Sequence, residues 1–203
     1  MSNSNKRKFL IILISPSGGG KTAIFTKVLA DNNEIKYSVS FTTRKPRINE
    51  IDGVHYNFIS EEKFLEMKNS GDFLESAIVH KYWYGTSKSY INSVLKNNYI
   101  IMDIDVQGAK QIMKSEIDHT TIFILPPSRD VWLKRLRGRG TDSEEVLKVR
   151  LESAEKEIKE IRDFEYLIIN DDLETAVKNI ETIIKAEENK IERYINIENY
   201  YGG

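Results

Sequence analysis

Apolar runs and helical spacings alternate along this chain. Phe9-Leu10-Ile11-Ile12-Leu13-Ile14 is continuously apolar and is bounded by Ser-Pro and glycines, as a strand buried on both faces would be. Thr22 to Asn32 then carries Ile24, Phe25, Val28 and Leu29 at helical spacing. Tyr99 to Ile104, Thr121 to Leu125 and Tyr166 to Ile169 read as further buried strands, with helices predicted over Val106 to Lys114 and Ser128 to Arg137. This rhythm predicts an α/β fold around a mostly parallel sheet.

Two regions break it. From Ile35 to about Thr86 the pattern turns to alternation, with Ile35, Tyr37, Val39 and Phe41 set against polar neighbours. Short strands over His55 to Ile59 and Phe73 to Val79, and a helix over Ser60 to Lys68 between them, predict a small mixed-sheet insertion with one wet face. The second region, Gly138 to Ser143, precedes a strongly charged helix, and Thr141-Asp142-Ser143-Glu144 is a capping-box pattern for its start. A mobile hairpin of helices is expected there. No internal repeat is visible.

Composition narrows the function classes. With 203 residues, 40% hydrophobic and 30% charged, the chain reads as globular, one domain with insertions. Lys+Arg total 30 against 31 Asp+Glu, so bulk attraction to nucleic acid or membrane is not expected and any anion site must be local. The absence of cysteine excludes disulfides and thiolate metal sites and suits a cytoplasmic protein. The six-residue run from Phe9 to Ile14 is too short for a signal-peptide core or a membrane span.

Ser15-Pro16-Ser17-Gly18-Gly19-Gly20-Lys21-Thr22 lies between the first strand and the first helix. It fits the phosphate-binding pattern G-x-x-x-x-G-K-[ST], except that Ser15 replaces the first glycine. Gly18, Gly19 and Gly20 let backbone N–H groups approach phosphate oxygens, and the helix aims its positive end at the same place. Lys21 is expected to reach the β and γ phosphates and the Thr22 hydroxyl to ligate Mg2+. Asp103 and Asp105 end a buried strand, on one face by the two-residue period, with Asp103 the expected Mg2+ partner.

The insertion holds anion chemistry of its own. Arg44 and Arg47 sit in one loop stiffened by Pro46, and guanidinium forks bind phosphate bidentately. His55-Tyr56-Asn57-Phe58 and Tyr82-Trp83-Tyr84-Gly85-Thr86 add phenols that could complete a phosphate pocket.

With the segments SPSGGGKT, SVSFTTRKPR, HYNF, FLES, YGTS, MDIDVQG, LRGRGTD and IINDDL in order, over about residues 9 to 187, the chain resembles the guanylate kinase family. The resemblance implies a P-loop three-layer α/β fold with a mostly parallel central sheet, a small mixed-sheet GMP-binding insertion and a helical lid. It implies a core of residues 1–37, 87–136 and 151–203, an insertion of residues 38–86 and a lid of residues 137–150. Arg44, Arg47, Tyr56 and Tyr84 would hold the GMP phosphate, and Ser40, Glu75, Thr86 and Asp105 would read guanine. Ser17, Gly18, Gly19, Gly20, Lys21 and Thr22 would cradle ATP, with Asn170 near the adenine. Thr22 and Asp103 would serve Mg2+. Arg135, Arg139 and Arg150 match lid arginines that close over the phosphates.

The expected reaction is γ-phosphoryl transfer from ATP to GMP or dGMP, in the cytoplasm, by a monomer or homodimer. Neither nucleic acid nor membrane is an expected partner. The mechanism asks for no protein nucleophile and no general base, so His55, His80 and His119 have no assigned role. Two alternatives stay open: a silent phosphopeptide-binding module of the same fold, and a kinase for another nucleoside monophosphate. From about Glu188 the resemblance ends, and Tyr194, Ile195, Ile197, Tyr200 and Tyr201 could pack on the core or on another subunit.

Overall fold

A computed structural model describes residues 6–79, 81–138 and 144–195. Its central sheet contains β1 (Leu10–Ile14), β2 (Ile35–Tyr37), β7 (Tyr99–Asp103), β8 (His119–Leu125) and β9 (Tyr166–Ile169), ordered β2-β7-β1-β8-β9. Every pairing in it is parallel. The remaining strands are β3 (Phe41–Thr42), β4 (Asn57–Phe58), β5 (Phe73–Val79) and β6 (Tyr82–Ser87). They form a second sheet, β4-β3-β6-β5, with one parallel and two antiparallel pairings.

β1 shows why the sheet is buried on both faces. Leu10, Ile12 and Ile14 enter one apolar cluster, while Phe9, Ile11 and Leu13 enter the other. The first is covered by Ile91 of α3 (Lys88–Val94) and by Val106, Ala109 and Ile112 of α4 (Val106–Met113). The second is covered by Ile24 and Val28 of α1 (Lys21–Asp31) and by Ala176, Val177, Ile180 and Ile184 of α7 (Leu173–Glu188). The layers are therefore helix, sheet, helix, as expected of a parallel sheet.

Five of the helices begin where side chains cap them. Ser60, Ser87, Asp105, Ser128 and Asp172 accept N–H bonds at the starts of α2 (Glu61–Asn69), α3, α4, α5 (Arg129–Arg137) and α7. The remaining helix is α6 (Glu144–Lys159).

Two expectations are corrected. The alternating stretch from Ile35 to Phe41 is not one strand of the insertion. Ile35–Tyr37 pairs with β7 at the edge of the central sheet, and only Phe41–Thr42 joins the second sheet. Alternation reports a half-covered strand, and both edges offer that environment. The two aspartates do not share a strand either: β7 stops at Asp103, and Asp105 is the N-cap of α4. Pattern reading also passed over β6, α3 and α7, while Arg139, His80 and most of Gly138 to Ser143 lie outside the described residues.

The tail packs on the core at least as far as Tyr194, which bridges to Lys6. Arg193, only 2% exposed, bonds Asp118 and Glu187, and its guanidinium lies 3.8 Å from the Phe9 ring centre. Tyr166 also donates to Glu187. Burial pushes the Glu187 carboxyl up, but the bonds from Tyr166, Lys190 and Arg193 outweigh it and hold the carboxyl below its usual range. Ile197, Tyr200 and Tyr201 lie outside the described residues.

Candidate active site

A cleft of about 320 Å³ opens beyond the C-terminal ends of β1 and β7, where ligands gather in open α/β sheets. Its first wall is the loop from Ser15 to Thr22. Gly20, the N-cap of α1, has φ 92°, and a Cβ there would run into Asn170 Nδ2, so the position requires glycine. Asn170 Nδ2 donates to the Gly19 carbonyl at 2.9 Å, and Trp132 Nε1 donates to the Ser17 carbonyl at 2.7 Å. Arg135 Nη1 in turn donates to the Asn170 carbonyl at 3.0 Å. α5 and the end of β9 thus brace the loop from behind. Ser15 fits this loop, its hydroxyl donating to the Pro16 carbonyl at 3.1 Å.

Strand order brings the first acid to the loop. β7 lies beside β1 with Leu13 opposite Asp103. Lys21 Nζ stands 3.8 Å from Asp103 Oδ2 and 3.5 Å from the Ile104 carbonyl. Tyr37, at the end of β2, donates its hydroxyl to Asp103 Oδ1 at 2.7 Å. Burial and then the Asp103 charge push that phenol upward, so it remains a donor.

The second sheet supplies the opposite wall. A register shift between Phe73 and Glu75 places Glu75 opposite Thr86. Glu75 is 4% exposed, and its Oε1 accepts the Thr86 hydroxyl at 2.7 Å. Burial pushes the Glu75 carboxyl up to about 7; the Thr86 bond opposes this and the Asp105 charge adds to it. Asp105 Oδ1 accepts the Gly108 N–H at 2.9 Å, and burial raises this carboxyl too. A Cβ on Gly108 would press into the Glu75 carboxylate, so the helix can approach so closely only with glycine there. Gln111 fixes the sheet to α4, accepting from Ser76 N at 3.1 Å and donating to the Ser76 carbonyl at 2.9 Å.

The arginine loop closes the far end. Arg44 grips Glu50 with two bonds of 2.8 Å, and its Nε donates to the Tyr84 hydroxyl at 3.2 Å. The Arg44 fork holds the Glu50 carboxyl down at about 2, and the Arg47 N–H adds a bond of 2.7 Å. Burial pushes the Tyr56 phenol up to about 12. Glu157 of α6 completes the lining, and burial pushes its carboxyl up to about 7.

Ser17 to Thr22, Ser40, Arg44, Arg47, Tyr56, Glu75, Tyr84, Asp103 and Asp105 therefore share one cleft. Thr86, Arg135 and Asn170 stand behind its walls instead. Arg150 lies on α6 outside the lining. His55 and His119 bond the backbone at Ile51 and Ile117 and take no place in it.

Sequence reasoning missed Tyr37, Glu50, Trp132 and Glu157. Glu50, three residues after Arg47, and Glu157, seven after Arg150 on one helix, left a signal in charge spacing. Tyr37 and Trp132 left none. Among the described residues no cluster of three His, Cys, Asp or Glu could hold a metal by itself, and no helix is long and apolar enough to cross a membrane.

A phosphate cradle that faces a second, arginine-bearing anion pocket across a single cleft defines a P-loop nucleotide kinase. A family model described as guanylate kinase matches residues 7–187. A guanylate kinase of Clostridioides difficile is 46% identical over 95% of this chain and 94% of its own length. One from Methylobacillus flagellatus is 46% identical over 92% and 93%, respectively. The crystal structure of guanylate kinase from Anaplasma phagocytophilum superposes with a TM-score of 0.79 at 30% identity, covering 97% of this chain and 95% of that one. The chain belongs to the guanylate kinase family.

Proposed function

We propose that this chain transfers the γ-phosphoryl group of ATP to GMP, releasing ADP and GDP, with the site residues in the following roles. The observation that carries the reading is that Lys21 and Asp103 line the same cleft as Glu75 and Asp105. One end thus suits a triphosphate and the other a base rich in N–H donors.

At the donor end, the loop from Ser17 to Thr22 cradles the ATP phosphates. Among the described residues the contacts of Lys21 to Asp103 and Ile104 are long, and a phosphate oxygen displaces them. A hydroxyl and a carboxylate, Thr22 and Asp103, suit a largely hydrated Mg2+ that arrives on ATP, since such an ion takes one or two protein oxygens and completes its shell with phosphate and water. It neutralises phosphate charge when bound. Asn170, buried against the loop, acts as a brace more than as a contact to adenine. Arg135 shares that bracing role, and Arg139 and Arg150 belong to the lid that closes over the transferring phosphoryl.

At the acceptor end, Arg44, Arg47, Tyr56 and Tyr84 bind the GMP phosphate, with Glu50 orienting the Arg44 fork. Ionised carboxylates only accept hydrogen bonds, so Glu75 and Asp105 match guanine's N1–H and N2 amino group. Ser40 completes the base contact, and Thr86 acts through Glu75. The acceptor phosphate oxygen attacks in line and needs no protein base; catalysis is positioning and charge stabilisation. Residues 38–86 form the acceptor unit, residues 137–150 the lid and the rest the core.

A coupled ADP-release assay with ATP and Mg2+ against a panel of nucleoside monophosphates tests this. GMP should be turned over, with AMP, CMP and UMP disfavoured by roughly 10⁴ because they leave buried carboxylates unpaired. Efficient use of AMP would sink the guanine assignment. No turnover together with phosphopeptide binding would favour the silent module.

A further inference from the structure

We infer that Glu157 is a specificity-determining residue, its carboxylate accepting the ribose hydroxyls of the acceptor nucleotide and so favouring GMP over dGMP. The inference rests on the acceptor assignment above and extends it to the sugar. Three observations carry it. Glu157 lines the cleft, although it comes from α6 and not from either wall. The two charged cleft groups that act on its carboxyl are Lys21 and Asp105. Asp105 marks the base end and Lys21 the phosphate end, and a nucleotide's ribose must lie between its base and its phosphate.

The chemistry of that gap admits few partners. A carboxylate there offers only acceptors. Guanine's donors already face Glu75 and Asp105, and phosphate has no N–H to give. The 2′ and 3′ hydroxyls are the remaining donors, and two carboxylate oxygens match two hydroxyls. Burial raises the Glu157 carboxyl despite the opposing Lys21 charge and a hydrogen bond from Ser153. Glu157 and Arg150 also lie seven residues apart on α6, two helical turns on one face. The helix that would carry the lid arginine thus carries the ribose acceptor too.

The test measures kcat/KM for GMP and dGMP, and KM for ATP, in the wild type, Glu157→Ala and Glu157→Gln. The wild type should prefer GMP by about tenfold, the scale of one hydrogen bond to a charged group. Glu157→Ala should bring the GMP:dGMP ratio close to one with little change in KM for ATP. Glu157→Gln, which keeps one carbonyl acceptor, should fall between. A ratio unchanged by Glu157→Ala overturns the inference, as does an equal loss for both acceptors with a raised KM for ATP, which would make Glu157 a partner of Lys21. A wild type without preference for GMP over dGMP also overturns it. Failure of the acceptor assignment itself reads out separately, as wild-type turnover of AMP on a par with GMP.

Discussion

Glu75→Gln should make the ligand-free protein more stable at pH 8 while weakening its hold on GMP. The carboxyl is 4% exposed and is pushed from 4.5 up to about 7, chiefly by burial. Because the folded-state pKa lies above the unfolded one, the folded protein binds the extra proton between these values. The stability tied to the neutral acid is fully present below about 4.5 and is lost as pH rises through about 7. A shift of this size corresponds to about 3 kcal/mol. Glutamine is neutral at every pH, and its carbonyl can still accept the Thr86 hydroxyl. The variant should therefore match the wild type at about pH 4, below the unfolded value, and exceed it at pH 8 by up to about 3 kcal/mol, several degrees in Tm for a chain of this size. Glu157 titrates in both proteins, while Asp105 is coupled to Glu75 by charge, so the difference between the proteins reports Glu75 together with its effect on Asp105. Thermal unfolding at the two pH values, with and without GMP, is the assay. GMP should reverse the order, since its N–H donors satisfy the ionised carboxylate and not the amide's N–H2. Equal Tm values for the two proteins at pH 8 without ligand would refute the burial argument. A GMP-induced rise in Tm as large in the variant as in the wild type would remove Glu75 from base reading.

Two further outcomes are expected. Lys21→Ala should lower kcat by on the order of 10²–10³ in the ADP-release assay with folding nearly unchanged, as for loss of one preorganised electrostatic donor; near-normal turnover would refute the phosphate-cradle assignment. Arg193→Ala should cost roughly 1.5–3 kcal/mol in urea unfolding, because it takes the guanidinium from the buried Glu187 carboxylate and leaves it with Tyr166 and Lys190, yet spare kcat, since the cluster joins Asp118 and Phe9 at the opposite ends of the strands from the cleft; a loss below about 1 kcal/mol would show that the network is not stabilising.

The chain's own pattern determined the layers and the phosphate cradle. A strand buried on both faces must be apolar at every position, as Phe9 to Ile14 is, and a helix after a glycine-rich turn must start where that turn ends. These are constraints between near neighbours, so they are written in adjacent residues. The two-residue period failed at Asp105 for the same reason, because a capping bond to Gly108, three residues away, ended the strand early. The rest was decided in three dimensions. Tyr37 reaches Asp103 across 66 residues and Trp132 reaches Ser17 across 115, and only the strand order β2-β7-β1 and the packing of α5 behind the loop bring them together. Arg193 looks like a surface charge in a polar tail until the start of β8 and the end of α7 surround it with Asp118 and Glu187. Glu75 is an ordinary acid in the sequence, and burial between β5 and α4 makes it one that titrates near neutrality. Local geometry is set by neighbours in the chain, whereas burial and electrostatics depend on which distant segments are packed together.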